Sequence, residues 1–530
     1  MPRSSLPACI LVILMMTPGL PARAGAVVPH KPASRGGPST RPPAIETSVQ
    51  EFTNLVHWVD NLAGSSIGKT APLYRRYWQE RFGGFTAADQ EALKAFATIR
   101  LLSVPREGGI ANEAGCLPQD DASLRWSQFF MSEAMRATTM KGFLAGLSAQ
   151  LDAGQLESLR LALSRFQPRF AKAWSEMGHV HRFEKRFRRF MAESKMPALL
   201  ADMSRFFGVA GAPLPPMSIS FIALPYDGPT HAEADGDRLL IEIRPGDVPE
   251  LQIPVVAHEA AHFMMRHMTS EQTDALARQA FSVGDAGVLA WRFMLESLPT
   301  ALGQGYARAR VDPRRFSAQD SWYHYTHIDR FAKRIYPVVS EAMNRGDSIH
   351  GGLMSRLAAL MSRSIVYRQT GPAGYLIPAF YASGEGLEPA MNVMKHRLGL
   401  GYDTASPGFV LSDAAGDDWL RRYACLSGLA LVSPAEIERA ARLGDERLLD
   451  EADVERVRAY IDEGRAGVIA AGRRRAGGVV FFLVVGNTNA LSDLVGRFIR
   501  LRGIPDAPLP FGPGPPETGR PAGLGRTMPE

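Results

Sequence analysis

Cysteine is scarce in this chain, with only Cys9, Cys116 and Cys425 among 530 residues. A disulfide framework therefore cannot carry the fold. Long apolar runs are also missing. The longest near the start, "ILVILMM" (Ile10 to Met16), is far shorter than the roughly 20 residues a spanning helix needs, and no later segment reaches that length. Stable membrane insertion is thus excluded as an expectation. Charge bias is weak: 60 basic against 54 acidic residues give a formal +6. Nucleic acid is not expected as a partner, because that reading needs a concentrated basic face. What remains is ordinary globular composition, 45% hydrophobic and 22% charged, in a chain long enough for two to four domains. There is no internal repeat.

Residues 1–24 read as a signal peptide. Arg3 opens it, the Ile10–Met16 run follows, Pro18 breaks the run, and the small residues Ala22 and Ala24 mark cleavage after Ala24 or Ala26. Cys9 precedes the apolar run, where a lipid-anchored cysteine would follow it. The expected location is secreted or periplasmic. Cleavage after Ala24 removes Arg3 and Arg23, leaving 6 − 2 = +4, and it removes Cys9. Cys116 and Cys425 would then be free to pair in an oxidising compartment.

Residues 25–45 are rich in proline, glycine and serine and read as a disordered linker. From 46 to 210 apolar residues recur at three- and four-residue spacing, predicting an N-terminal helical region. Within it, "HVHRFEKRFRRFMAE" (His179 to Glu193) places Phe183, Phe187 and Phe190 on one face. That pattern is read as a packed aromatic stripe with a solvated basic back rather than as a surface for anionic lipid or polymer. At Pro213 the texture changes. "MSISFIALP" (Met217 to Pro225) and "RLLIEIR" (Arg238 to Arg244) read as strands around a turn-rich stretch, and a helix follows with Pro254 near its first turn. Residues 211–345 form the expected core and 346–410 a helical region completing it. Residues 411–503 form a small α/β module with a buried strand at "GGVVFFLVVG", and 504–530 a disordered tail. The "RRR" of Arg473 to Arg475 falls in a loop and reads as solvated. The expected fold class is α+β, predominantly helical.

The chemistry concentrates in "VVAHEAAHFMM" (Val255 to Met265), an apolar helix carrying two histidines and a glutamate. Buried imidazole and carboxylate groups are costly unless compensated. His258 and His262, four apart, lie on one helical face, where both imidazoles can reach one zinc ion. Glu259, beside the first histidine, is placed to take a proton from water as general base. Zinc needs a third protein ligand. A third histidine with an intervening glycine is ruled out, because those positions hold Met265 and Met268. His267 falls on another face and reads as a surface or outer histidine. The remaining option is a glutamate from a following helix. Glu296 is the only acid within "AGVLAWRFMLESLPTALGQG" (Ala286 to Gly305), 34 residues after His262. It is favoured over Glu271, Asp274 and Asp285. Pro299 leaves a carbonyl unpaired one turn earlier, and Gly303 and Gly305 allow close packing.

With these residues in place, the segment from about Pro213 to Pro337 resembles a zincin metallopeptidase of the gluzincin type, in which two motif histidines and a later glutamate hold zinc. The resemblance covers about a quarter of the chain. It implies one zinc ion per chain and a peptide or protein substrate. It also implies an edge strand before the motif helix that pairs with extended peptide, for which "MSISFIALP" or "RLLIEIR" are the candidates. The exopeptidase motif Gly-x-Met-Glu-Asn is absent upstream of His258. A donor for the developing oxyanion is expected among Tyr323, His324, Tyr325 and His327, with Asp329 available to orient a ligand histidine. Alternatives are a zinc amidase acting on a cell-wall polymer, a non-catalytic zinc-binding or scaffold protein of the cell envelope, and a metal-free helical interaction protein.

Overall fold

The computed structural model describes residues 44–65, 70–100, 126–211, 214–235, 237–369, 380–383, 409–410, 428–443, 446–475, 477–501 and 503–512. Cys116, Cys425 and the signal segment lie outside them. The chain divides into two units, one of residues 1–367 with 402–407 and one of 368–401 with 408–530. Both unite helices with small sheets, an α+β protein that is mostly helical.

The first unit is built on a four-stranded sheet of β1 (Ile45–Ser48), β2 (Met217–Ala223), β3 (Ala232–Asp235) and β4 (Arg238–Ile243). Its order is β1-β2-β4-β3, with β3 antiparallel to β4 and the other pairings parallel. Two expectations are corrected here. Residues 45–48 form a strand rather than linker and helix, and Ala232–Asp235, inside the turn-rich stretch, forms another. As a result β2 and β4 are interior strands with backbone paired on both sides, so neither is an edge strand. The edges are β1 and β3.

Helices α1 (Glu51–Ala63), α2 (Ala71–Phe82), α3 (Ala87–Arg100), α4 (Trp126–Arg136), α5 (Met140–Leu147), α6 (Ala153–Glu176), α7 (Gly178–Glu193) and α8 (Met196–Phe206) follow β1. They are an integral part of the first unit. Asn54 of α1 replaces the missing length of β1: its side chain donates to Phe221 O at 3.2 Å and accepts from Ala223 N at 2.8 Å, pairing β2 where β1 has ended. Glu242, fully buried on β4, ties α1 and α2 to the sheet. Its Oε1 accepts from Thr70 Oγ1 and lies next to His57 Nε2, each at 2.8 Å, while its Oε2 accepts from His231 N at 2.7 Å. A buried carboxylate persists only with such partners. Burial and the charge of Glu242 together push the Tyr74 hydroxyl well above its ordinary pKa. On α7 the aromatic stripe packs as expected, Phe183 and Phe187 setting their rings edge-on against Phe221 of β2 at 5.1 and 5.2 Å.

After β4 come α9 (Pro249–Arg266), α10 (Ser270–Phe281) and α11 (Asp285–Thr300). A π-helical stretch at Ala301–Ala307 runs on through α12 (Arg308–Val311). Then follow α13 (Thr326–Arg345), α14 (Leu353–Ser362) and α15 (Ile365–Gln369). α9 opens with Pro249 at its first position, so Pro254 lies inside the helix rather than at its start.

The second unit holds a six-stranded sheet. Its strands are β5 (Phe380–Ser383), β6 (Phe409–Val410), β7 (Gly428–Val432), β10 (Gly467–Arg473), β11 (Val479–Val485) and β12 (Leu509–Phe511), in the order β12-β10-β11-β7-β5-β6. The short pair β8 (Arg442–Leu443) and β9 (Glu446–Arg447) stands apart from that sheet. Every residue of β11 is buried, as its unbroken apolar run requires. Three expectations change. Phe380–Ser383 is a strand of this sheet rather than helix completing the core. Leu509–Phe511 pairs with β10 instead of belonging to a structureless tail. Arg474 is buried and paired with Glu446 at 3.2 Å, so the arginine run is not wholly solvated.

Candidate metal centre

The apolar helix α9 carries His258 and His262 on one face, and their Nε2 atoms stand 2.9 Å apart. α11 brings Glu296 against them, its Oε2 lying 3.4 Å from His258 Nε2 and 3.5 Å from His262 Nε2. All three side chains are buried. A tetrahedral zinc with bonds of about 2.0–2.1 Å requires donors separated by about 3.3–3.4 Å. The observed spacings bracket that value. Among the described residues these three form the one cluster of histidine, cysteine and carboxylate atoms able to hold a metal ion. His262 Nδ1 is buried and makes no hydrogen bond, so packing rather than an acceptor fixes the far side of that ring.

Close approach of two helices produces this geometry. A Cβ on Gly303, in the π-helical stretch, would lie 2.3 Å from Pro254 O and 3.0 Å from His258 N and Cβ. Only a residue without a side chain lets the continuation of α11 press against the turn that bears the first histidine. Pro299 donates no backbone hydrogen bond, and the wide π turn begins two residues after it.

Burial is the largest single influence on both carboxyl groups, but it prevails at only one of them. It pushes the Glu259 carboxyl above its usual pKa; the charge of Glu296 adds to this, and His258, Arg266 and His231 act against it. Burial acts on Glu296 in the same sense, but the two histidines outweigh it and hold that carboxyl well below the usual range. Two carboxyl groups three dozen residues apart in sequence are thereby driven in opposite directions, one toward carrying a proton and the other toward permanent charge.

Of the candidate donors, Tyr323 is at the site. Its hydroxyl donates to Glu296 Oε2 at 3.1 Å, and its ring lies nearly parallel to that of His258, 6.3 Å away at 17°. Burial and the neighbouring Glu296 raise its pKa well above the ordinary tyrosine value. His324 and Tyr325 are exposed. His324 stacks on the Tyr323 ring at 4.6 Å, and Tyr325 sets its edge against His327. Asp329 does not reach a ligand histidine. Its Oδ1 accepts from Trp322 N at 2.6 Å and Tyr323 N at 3.2 Å, so it fixes the loop that delivers Tyr323. His267 Nδ1 donates to Phe263 O at 2.8 Å and stays outside the centre.

Sequence reasoning missed Arg292 and His231. Arg292 stands one turn before Glu296 and shares an electrostatic environment with Glu296, Tyr325 and Tyr323. Its helical spacing was a usable signal. His231, buried and within electrostatic reach of Glu259, arrives there through the pairing of β3 with β4, which no local pattern announces. No family model, curated protein or solved structure matches the chain.

Proposed function

We propose that this chain is an exported zinc-dependent peptidase with a zincin-like core. The observation that carries the reading is the buried triangle of His258, His262 and Glu296, with a second buried carboxylate, Glu259, next to it on the same helix. A bound zinc ion would supply Lewis-acid polarisation of the substrate carbonyl and a lowered pKa for the attacking water. The chain's own residues do the rest. Glu259 takes the proton of the attacking water at its carboxylate and returns it to the leaving amine. Its burial brings its basicity closer to what a general base near neutrality needs. Tyr323 holds Glu296 in its ligating orientation through the hydroxyl bond, and Asp329 holds Tyr323. A structural metal site has no need of a base beside it, which favours catalysis over a scaffold role. The outer edge of β3 offers backbone groups to which an extended peptide can add.

The test is a peptide-library screen on zinc-loaded protein beside the Glu259→Ala variant. Cleavage by the native chain, reduced about 10²–10⁴-fold in a variant that still holds zinc, is the expected result. Equal cleavage by both proteins would remove Glu259 from the mechanism. No cleavage of any peptide by zinc-loaded native protein would refute the peptidase reading.

A further inference from the structure

Helix α7 presents to solvent a stripe of four cations whose role the candidate metal centre does not explain. Arg182, Lys185, Arg186 and Arg189 are all exposed, and at 100° per residue they fall within a single arc of the helix. They neighbour one another at three- and four-residue spacing, so each like-charged pair opposes the helix that carries it. None of the four has an acidic partner among the described residues. Arg188, outside the arc, is the one that pairs, with Glu184. The opposite face is pinned to β2 by Phe183 and Phe187, so the stripe is held rigidly on a packed element.

The surroundings narrow the kind of anion that fits. Nucleic acid in single-stranded form calls for outward aromatic rings between the cations, but Phe183 and Phe187 face inward and are buried. A protein partner calls for an apolar anchor at the centre of the patch. The exposed large apolar residues among those described are Leu161, Tyr325 and Ile365, and none is on α7. An exposed helix face with its charges in one arc, and no exposed large apolar side chain to insert, matches a flat anionic surface that it touches without entering.

Sequence alone reads this face as a solvated back, but four exposed cations in one arc, without acidic partners among the described residues, carry it further: we propose that the α7 stripe adsorbs the protein reversibly to the headgroups of anionic phospholipid. The adsorption is electrostatic. It is independent of the metal centre and separate from any spanning helix, of which the described residues contain none.

The experiment is co-sedimentation of the full chain with vesicles of phosphatidylglycerol and phosphatidylcholine in equal parts, beside vesicles of phosphatidylcholine alone. Binding through the Ile10–Met16 segment with its flanking Arg3 and Arg23 is common to all variants, so the part of the excess on anionic vesicles that depends on α7 is the readout. The expected excess weakens steeply between 50 and 500 mM salt, as the screening length shrinks, and falls about fivefold per charge removed. Replacing the four residues with glutamine takes the formal charge from +6 to 6 − 4 = +2 and should abolish it. A second variant, with Arg76, Arg160, Arg345 and Arg456 changed to glutamine, has the same net charge and loses only exposed ion-paired cations. It should bind like the native chain. Arg182→Lys, Arg186→Lys and Arg189→Lys together should also retain binding, because the surface reads charge rather than guanidinium geometry. No excess on anionic vesicles would overturn the proposal. So would equal loss in both +2 variants, or retained binding when the stripe is neutral. Binding to a soluble polyanion without vesicle binding would assign the stripe to a polymer instead.

Discussion

Replacing Gly303 with alanine should damage the metal centre although residue 303 touches no metal. The added Cβ would lie 2.3 Å from Pro254 O, short of ordinary contact at 3.4 Å by 3.4 − 2.3, or about 1.1 Å. The nearest atoms are Pro254 O and the N and Cβ of His258, all fixed to the turn that carries the first histidine, so no flexible side-chain end can swing aside. The two helices must separate, or the turn must deform. Overpacking of this kind costs about 1–3 kcal/mol. Glycine to alanine inside a helix ordinarily stabilises by about 0.5–1 kcal/mol, so the sign of the change is itself diagnostic. Either response moves a donor, and zinc affinity should fall about 10–100-fold, as it does when groups that orient a ligand are lost. Thermal melting and chelator competition on Gly303→Ala read both effects. Gly246→Ala, where the added methyl meets nothing within 4 Å, serves as the control. A Gly303→Ala protein that melts and binds zinc like the native chain would refute the idea that backbone contact between α9 and the π-helical stretch sets the donor spacing.

Other perturbations test other parts of the account. Tyr323→Phe removes the hydroxyl that donates to Glu296 and should lower zinc affinity about 10–100-fold without changing the folded signal; unchanged affinity would leave Tyr323 as packing only. Asp60→Ala strands Arg100, whose guanidinium is buried against it at 3.1 Å, and should cost about 3–5 kcal/mol in denaturant unfolding; a change below 1 kcal/mol would show that water reaches that pair. Asp89 is buried between Arg165, Arg169 and Thr86. Burial would raise its pKa, but those partners hold it well below the usual carboxylate value of 3.8. Its contribution is therefore complete above the unfolded carboxylate pKa and lost as pH falls through the depressed folded one. Asp89→Asn should destabilise at neutral pH and flatten the acid limb of the stability curve; an unchanged acid limb would contradict this.

The centre was legible in sequence where the chemistry is local. Two histidines four apart on an apolar helix share a face whatever the surrounding fold, and Glu296 stands out as a lone acid among apolar neighbours. Tyr323 could be narrowed only to a run of four candidates, because the loop held by Asp329 decides which ring turns inward. The edge of the sheet is hidden from sequence for a nonlocal reason. β1 pairs in parallel with β2 from more than 160 residues upstream, and β3 is a four-residue strand of alanine, glutamate and aspartate, residue types depleted in strands. β1 shows no alternation, and the alternation of β3 spans only four residues without a β-branched or aromatic side chain. The binding of the N-terminal helices into the first unit was likewise hidden. Beside the aromatic contacts of α7, it rests on single polar side chains, Asn54 against β2 and Glu242 against α1 and α2, whose partners appear only once the chain has folded.

The most direct test of the central claim is metal content by mass spectrometry on the purified protein beside its Glu296→Gln variant, both loaded with zinc and then desalted. The account predicts about one zinc per native chain and loss of that zinc in the variant. Zinc retained in the variant would remove Glu296 from the ligand set. No zinc in the native chain, even after refilling, would contradict the metal centre itself and leave His258, Glu259, His262 and Glu296 as a buried polar cluster with no catalytic role.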